Sequence, residues 1–228
     1  MIFNRDGSML TPDSYTPASL ANLFPKGKEK VRGKRGGGGA PSASLFYPVG
    51  DGLGMLIALT GTPGTGKSTV ALGLQAKGWK VLEVNDLAKR HGLLRSKDPT
   101  RDSYDLDLDE LQEALGKENF NDGVLVGHLS HLLDVDMVIV LRCHPEVLAK
   151  RLEARKWPLA KIRENALAES LDIILAEAMD SEVPVFEINT TEMPLPETEG
   201  AVLAILAGEK EKYAVGNIDW SEEALRWS

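Results

Sequence analysis

The sequence predicts a doubly wound α/β fold around a parallel five-stranded sheet, and three observations carry that prediction. From Met55 onward, short apolar runs alternate with helical periods. Two of the runs, Val124-Leu125-Val126 and Met137-Val138-Ile139-Val140-Leu141, are nearly continuous in apolar residues, as in parallel strands covered on both faces. The run Gly61-Thr62-Pro63-Gly64-Thr65-Gly66-Lys67-Ser68-Thr69 fits the phosphate-loop pattern G-x-x-x-x-G-K-[ST] at every fixed position, and it stands between a strand-like and a helix-like segment.

Strands are expected at 56–60, 80–84, 123–127, 137–142 and 184–188, and helices at 68–77, 86–92, 107–116, 145–155, 160–179 and 196–207. The first strand is Leu56-Ile57-Ala58-Leu59-Thr60, directly before the loop. The first helix closes at Gly78, where glycine tolerates a left-handed backbone. Pro145, after Cys143-His144, opens the fourth helix at a position where its missing N–H costs nothing. Between the second and third helices, Leu93–Asp105 is long and polar, and reads as a mobile loop over the ligand site. In such a sheet the ligand sits beyond the carboxyl ends of the strands, where the phosphate loop also lies.

Residues 1–54 differ from the rest. The stretch 26–39 reads KGKEKVRGKRGGGG, with no helical or strand period. This segment is expected to be a disordered basic extension that touches nucleic acid, a dispensable one, or the product of a misassigned start, since Met55 stands where a compact domain would begin. It holds seven Lys/Arg against four Asp/Glu, whereas residues 55–228 hold nineteen against thirty. An acidic body does not suit broad adhesion to RNA or DNA, so no sequence-specific nucleic-acid binding is expected; it does suit a basic protein partner. The single cysteine, Cys143, excludes an intramolecular disulfide and reads as a small core residue in a reducing, cytoplasmic setting. No apolar run reaches the roughly 18 residues of a membrane span.

The glycines of the loop allow backbone N–H groups to form an anion-binding nest at a helix N-terminus. Lys67 supplies a point charge for the β- and γ-phosphates and Ser68 an oxygen for Mg²⁺, so a nucleoside triphosphate with Mg²⁺ is the expected ligand. The chain is too short for a pair of helicase domains and lacks the N-K-x-D segment of a guanine-specific GTPase. A small-molecule kinase also needs a basic lid over the migrating charge. Arg151, Arg155, Lys156, Lys161 and Arg163 around Trp157-Pro158 supply one, unless they are solvated surface charge.

Five segments sharpen this reading: ALTGTPGTGKST (58–69), EVNDLA (83–88), DGVLVGHLSH (122–131), VIVLRCHPEVLAKRLEARKW (138–157) and KIRENALAE (161–169). In this order they resemble the adenylate-kinase-like ATPases of archaeal and eukaryotic small-ribosomal-subunit maturation. The resemblance covers Met55 to Trp220, with 221–228 as a tail. It implies a P-loop NTPase fold of the nucleoside monophosphate kinase type, with a monophosphate-binding segment at about 83–109 and a lid at about 154–164. It further implies broad nucleoside monophosphate kinase activity, ATP hydrolysis, and a role in 16S rRNA processing on pre-30S particles through ribosomal protein uS11.

By position in that family, Gly64, Gly66, Lys67, Ser68 and Thr69 would cradle the ATP phosphates, and Arg155 would bind them in the closed state. Asp86 would face the acceptor, or the metal through water, or else cap a helix with Asn85. His128 would position a water or a phosphate, or be structural; His131 and His144 are expected to be structural or on the surface. The family often carries an acidic residue two positions before His128, and Val126 stands there. Either Asp86 covers that role or hydrolysis is weaker. No side chain stands out as a general base, and none is needed for a monophosphate oxygen. Two other readings stay open: an ATP-gated assembly clamp whose acidic cluster (Asp102, Asp105, Asp107, Asp109, Glu110) draws a basic tail, and a small-metabolite kinase of the shikimate or dephospho-CoA kind.

Overall fold

Five short strands lie parallel in the order β4-β7-β3-β8-β9: β3 (Leu56–Thr60), β4 (Val81–Glu83), β7 (Gly123–Val126), β8 (Met137–Arg142) and β9 (Val185–Asn189). The structure is a computed structural model that describes residues 2–3, 9–10, 55–94, 97–98, 103–104 and 106–228. Two further antiparallel pairs join β1 (Ile2–Phe3) to β2 (Met9–Leu10) and β5 (Lys97–Asp98) to β6 (Ser103–Tyr104). The expectations of a disordered extension at 1–54 and a mobile loop at 93–105 otherwise lie outside the described residues, as do Asp102 and Asp105.

Both faces of the sheet are apolar because successive strand residues alternate sides. Ile57 and Leu59 of β3, Val124 and Val126 of β7, and Ile139 and Leu141 of β8 meet α1 (Lys67–Ala76) and α7 (Leu195–Leu206) on one face. On the other, Leu56, Leu82 and Leu125 meet α2 (Val84–Arg90) and α3 (Leu108–Lys117), while Ala58, Val138 and Val140 meet α6 (Ile173–Met179). A fourth cluster seats α4 (Pro145–Ala154) against α5 (Leu159–Ser170), with Cys143, Leu148, Leu152 and Ile162 buried. Trp227 of α8 (Ala224–Trp227) packs on that cluster, and Trp220 meets His144 edge-on at 4.8 Å.

The five sheet strands fall where the apolar runs place them, and the phosphate loop joins the central strand to α1. One expected helix divides. The sequence predicts a single helix over 160–179, but the chain turns at Asp172, whose φ is 55°, and restarts as α6. The Asp172 carboxylate pairs with the buried guanidinium of Arg142, which stabilises the turn. Long-range charge pairing therefore overrides a helical period that runs on unbroken in the sequence.

Gly123 shows how tightly β7 is laid against its neighbour. Its φ is 136°, and a Cβ there would stand 2.6 Å from the Lys80 carbonyl oxygen. Gly123→Ala is expected to cost about 1–3 kcal/mol of stability, measured by chemical denaturation. Nucleotide affinity should hold, because Gly123 lies at the strand end remote from the loop.

Candidate active site

The carboxyl ends of the strands bring Thr60, Glu83, Val126 and Arg142 to one edge of the sheet, around the phosphate loop. Gly61, Gly64 and Gly66 have φ of 135°, 100° and 104°. Only glycine adopts these values readily. At Gly61 the space is closed as well: a Cβ would lie 2.3 Å from the Leu141 carbonyl oxygen.

Lys67 opens α1 and folds back, donating to the carbonyl oxygens of Gly61 at 2.6 Å and Thr62 at 3.1 Å. Burial pushes its ammonium down to about 8, against the pull of Glu169 and Glu83. A polyphosphate arriving here would meet a cation already positioned but poorly solvated.

The loop is held from behind. Thr190 Oγ1 donates to the Thr65 and Arg142 carbonyl oxygens, both at 2.9 Å. Arg151 donates to the Thr190 carbonyl oxygen at 2.7 Å and to that of Thr191 at 3.1 Å, and reaches the Gly64 carbonyl oxygen at 3.5 Å. The sequence groups Arg151 with the basic lid residues; the fold instead uses it to tie the loop to the end of β9.

Below the loop lies a buried ionic network that sequence reasoning missed. Thr62 Oγ1 donates to the Glu169 carboxylate. Glu169 also accepts from Arg142 Nε at 2.8 Å and from the Cys143 N–H at 3.1 Å. Arg142, 1% exposed, donates further to Glu187 at 3.2 Å. Burial works against its charge, but Glu169, Asp172 and Glu187 outweigh burial and hold the guanidinium above its ordinary value. Cys143 beside it is sealed, and burial pushes its thiol up to about 11, so it is no nucleophile at neutral pH.

In front of the loop is a cavity of about 640 Å³ whose walls include Lys67, Ser68, Glu83, His128, Arg155 and Lys161. Gly64, Gly66 and Thr69 border it too, so the loop residues and two of the five basic residues grouped around Trp157, Arg155 and Lys161, meet in one space. Arg155 caps the C-terminus of α4, Lys156 turns the chain at φ 59°, and α5 begins at Leu159. The segment 154–164, expected from the resemblance to be a lid, is the corner of a helical hairpin, with Lys161 lying 4.5 Å over the Trp157 ring. Lys156 and Arg163 face solvent. A second cavity, of about 410 Å³, opens on the far side of Gly66 between Thr69, Arg155, Met193 and Leu195.

His128 stands at the cavity wall, just beyond β7. Burial, with the Lys67 charge next, holds its imidazole below the ordinary value, so it is neutral at pH 7. His131 is structural, 3.0 Å from Thr60 Oγ1 and 3.1 Å from Glu177. His144 caps α4 by accepting from the Glu146 N–H at 3.3 Å. Asp86 does not line the main cavity. It lies in the first turn of α2, 3.3 Å from Lys89, and borders a side groove with Ser68 and Glu83. Two carboxylates reach the main cavity: Glu164 of α5, and Glu83, the residue flanking α2, which stands by Ser68 on its wall. The signal of Glu83 in the sequence was its place at a strand end beside the loop, three residues before the aspartate that drew attention.

Residues 57–172 match the family model described as an AAA domain. The chain is 47% identical over 172 residues to a protein of Archaeoglobus fulgidus provisionally named adenylate kinase, a match spanning 74% of this chain and 93% of that one. The chain belongs to the adenylate-kinase-like family. A Methanosarcina mazei member with the same provisional name is 43% identical over 192 residues, spanning 73% of this chain and 97% of its own. Shikimate kinase from Acinetobacter baumannii overlays with a TM-score of 0.48 at 15% identity, over 69% of this chain and 95% of that one. This adenylate-kinase-like chain is a phosphotransferase of P-loop NTPase fold, on its sheet order, its phosphate loop and its family. Among the described residues, no helix is long and apolar enough to cross a membrane.

Proposed function

We propose that this enzyme transfers the γ-phosphoryl group of ATP to a nucleoside monophosphate, with broad acceptor choice. The observation that carries this reading is the shared cavity: the phosphate loop and the cations Arg155 and Lys161 face one space of about 640 Å³. A phosphoryl donor and a phosphate acceptor must be neutralised together in such a space. Lys67 would hold the β- and γ-phosphates, and Arg155 and Lys161 would meet the charge on the transferring group. The cavity beyond Gly66, with Met193 and Leu195, offers apolar surface for the base of ATP.

The acceptor phosphate oxygen attacks phosphorus, the bond to the β-γ bridging oxygen breaks, and ADP leaves. No general base is required, because that acceptor oxygen is already anionic. Neutral His128 can donate or accept a hydrogen bond at the wall. A magnesium ion, when bound with ATP, neutralises the phosphates. Ser68 fits it as a hard oxygen donor at the head of α1.

A role in small-subunit maturation through uS11, with ATP hydrolysis, is a second proposal. It rests on the family resemblance and on the acidic body, thirty Asp/Glu against nineteen Lys/Arg over 55–228. Asp107 offers little to a partner, since its carboxylate caps α3 by accepting from the N–H groups of Asp109 at 2.9 Å and Glu110 at 3.1 Å. The deciding experiment incubates the full-length enzyme with Mg-ATP and each of AMP, CMP, UMP and GMP. ADP formation is expected to depend on the monophosphate. Slow ATP loss indifferent to all four would move the assignment to the assembly ATPase. Turnover of shikimate in their place would make it a metabolite kinase.

A further inference from the structure

We propose that Glu83 supplies the carboxylate that faces the nucleotide's magnesium ion through its water shell, the role open to an acidic residue at position 126 and denied to Val126. The inference rests on the reading that the loop binds ATP phosphates.

The register of the sheet carries the argument. Glu83 of β4 pairs with Val126 of β7 as direct neighbours in parallel strands. Laterally paired residues project to the same face of a sheet. Val124 and Val126 belong to the cluster beneath α1, and Val81, two residues before Glu83, packs against that same cluster. Glu83 therefore rises on the α1 side, one strand over from Val126. Ser68, the second residue of α1, lines both the main cavity and the side groove with Glu83, which puts Glu83 beside the expected metal ligand.

The other acids fit this role less well. The Asp86 carboxylate is 63% exposed, pairs with Lys89 and borders only the side groove. Glu164 reaches the main cavity from α5, on the wall that carries Lys161. Among the described residues, no group of three or more His, Cys, Asp or Glu could hold a metal by itself. That suits magnesium, which keeps several waters and takes one or two protein oxygens together with substrate phosphates.

The test measures binding, not turnover. Affinity of the full-length enzyme for β,γ-imido-ATP is measured by calorimetry in excess Mg²⁺ and in EDTA. In the wild type, Mg²⁺ should tighten binding. Glu83→Gln is expected to shrink that gain by about tenfold, the loss typical of a group that orients metal-bound water, while affinity in EDTA stays the same or improves. Glu83→Asp should restore part of the gain and Asp86→Asn should leave it whole. The proposal is overturned if Glu83→Gln weakens binding equally with and without Mg²⁺, if it changes neither, or if Asp86→Asn produces the loss. A wild type whose binding ignores Mg²⁺ would overturn the ATP-phosphate reading as well; a wild-type gain untouched by Glu83→Gln would overturn the Glu83 assignment alone.

Discussion

Lys67→Ala is expected to lower kcat/KM for phosphoryl transfer by about 10²–10³-fold, the loss typical of one preorganised charge-stabilising donor. The two carbonyl contacts of Lys67 Nζ hold it at the loop, and among the described residues no carboxylate pairs with it, so its charge is available to the phosphates. The same lysine gives the wild type a pH signature. Its ammonium sits at about 8 in the free enzyme, below the 10.5 of an unburied lysine. Bound phosphates favour the charged form, so the complex retains a proton that the free enzyme loses. Nucleotide affinity should then fall as pH rises above about 8, by up to about tenfold per unit, and Lys67→Ala should abolish that slope. Folding stability runs the other way. Between about 8 and 10.5 the unfolded chain holds more protons than the native one, so this group makes the free enzyme more stable as pH rises through that window. An affinity that is flat from pH 7 to 9.5 in the wild type would remove Lys67 from the phosphate site.

Arg142→Met is expected to destabilise the protein by about 3–5 kcal/mol, because it strands the carboxylates of Glu169 and Glu187 in the interior. For a domain of this size that corresponds to a fall in Tm of about 10 °C. Glu187 keeps the N–H groups of Gly216 at 2.9 Å and Asn217 at 3.0 Å, so it is not left wholly without partners. The double variant Arg142→Met/Glu187→Gln, with one buried charge fewer, should recover part of the loss, and the difference measures the coupling. A loss below about 1 kcal/mol for Arg142→Met would show that water or rearrangement replaces the guanidinium. The network tests more than stability, since Glu169 also receives the Thr62 hydroxyl from the phosphate loop.

Much of this architecture could be read from the chain, because the decisive signals are local. Apolar runs located all five sheet strands, and Pro145 and Gly78 marked the helix ends where they occur. The loop residues and Arg155 were legible because one short motif and one basic cluster name them. The missed features all depend on pairing between distant segments. Glu83 comes into view only through the cavity it shares with Ser68 and through its register with Val126, and Asp86 recedes only once α2 is seen to begin at Val84. Arg151 resembles its lid neighbours in composition, and only its contacts with Thr190 and Thr191 separate it from them. Nothing near Asp172 in the sequence announces a break; the cause is Arg142, thirty residues earlier.

The hydrogen bond between Thr62 and Glu169 has a mechanical consequence. Glu169 belongs to α5, the helix that also carries Lys161, Glu164 and Asn165 to the cavity wall. The phosphate loop and the cavity wall are thus tied together, and a swing of α5 away from the loop would have to break that bond. On the proposed broad acceptor choice, adjustment to acceptors of different size would fall to the Arg155–Pro158 corner, where the chain leaves one helix and enters the next.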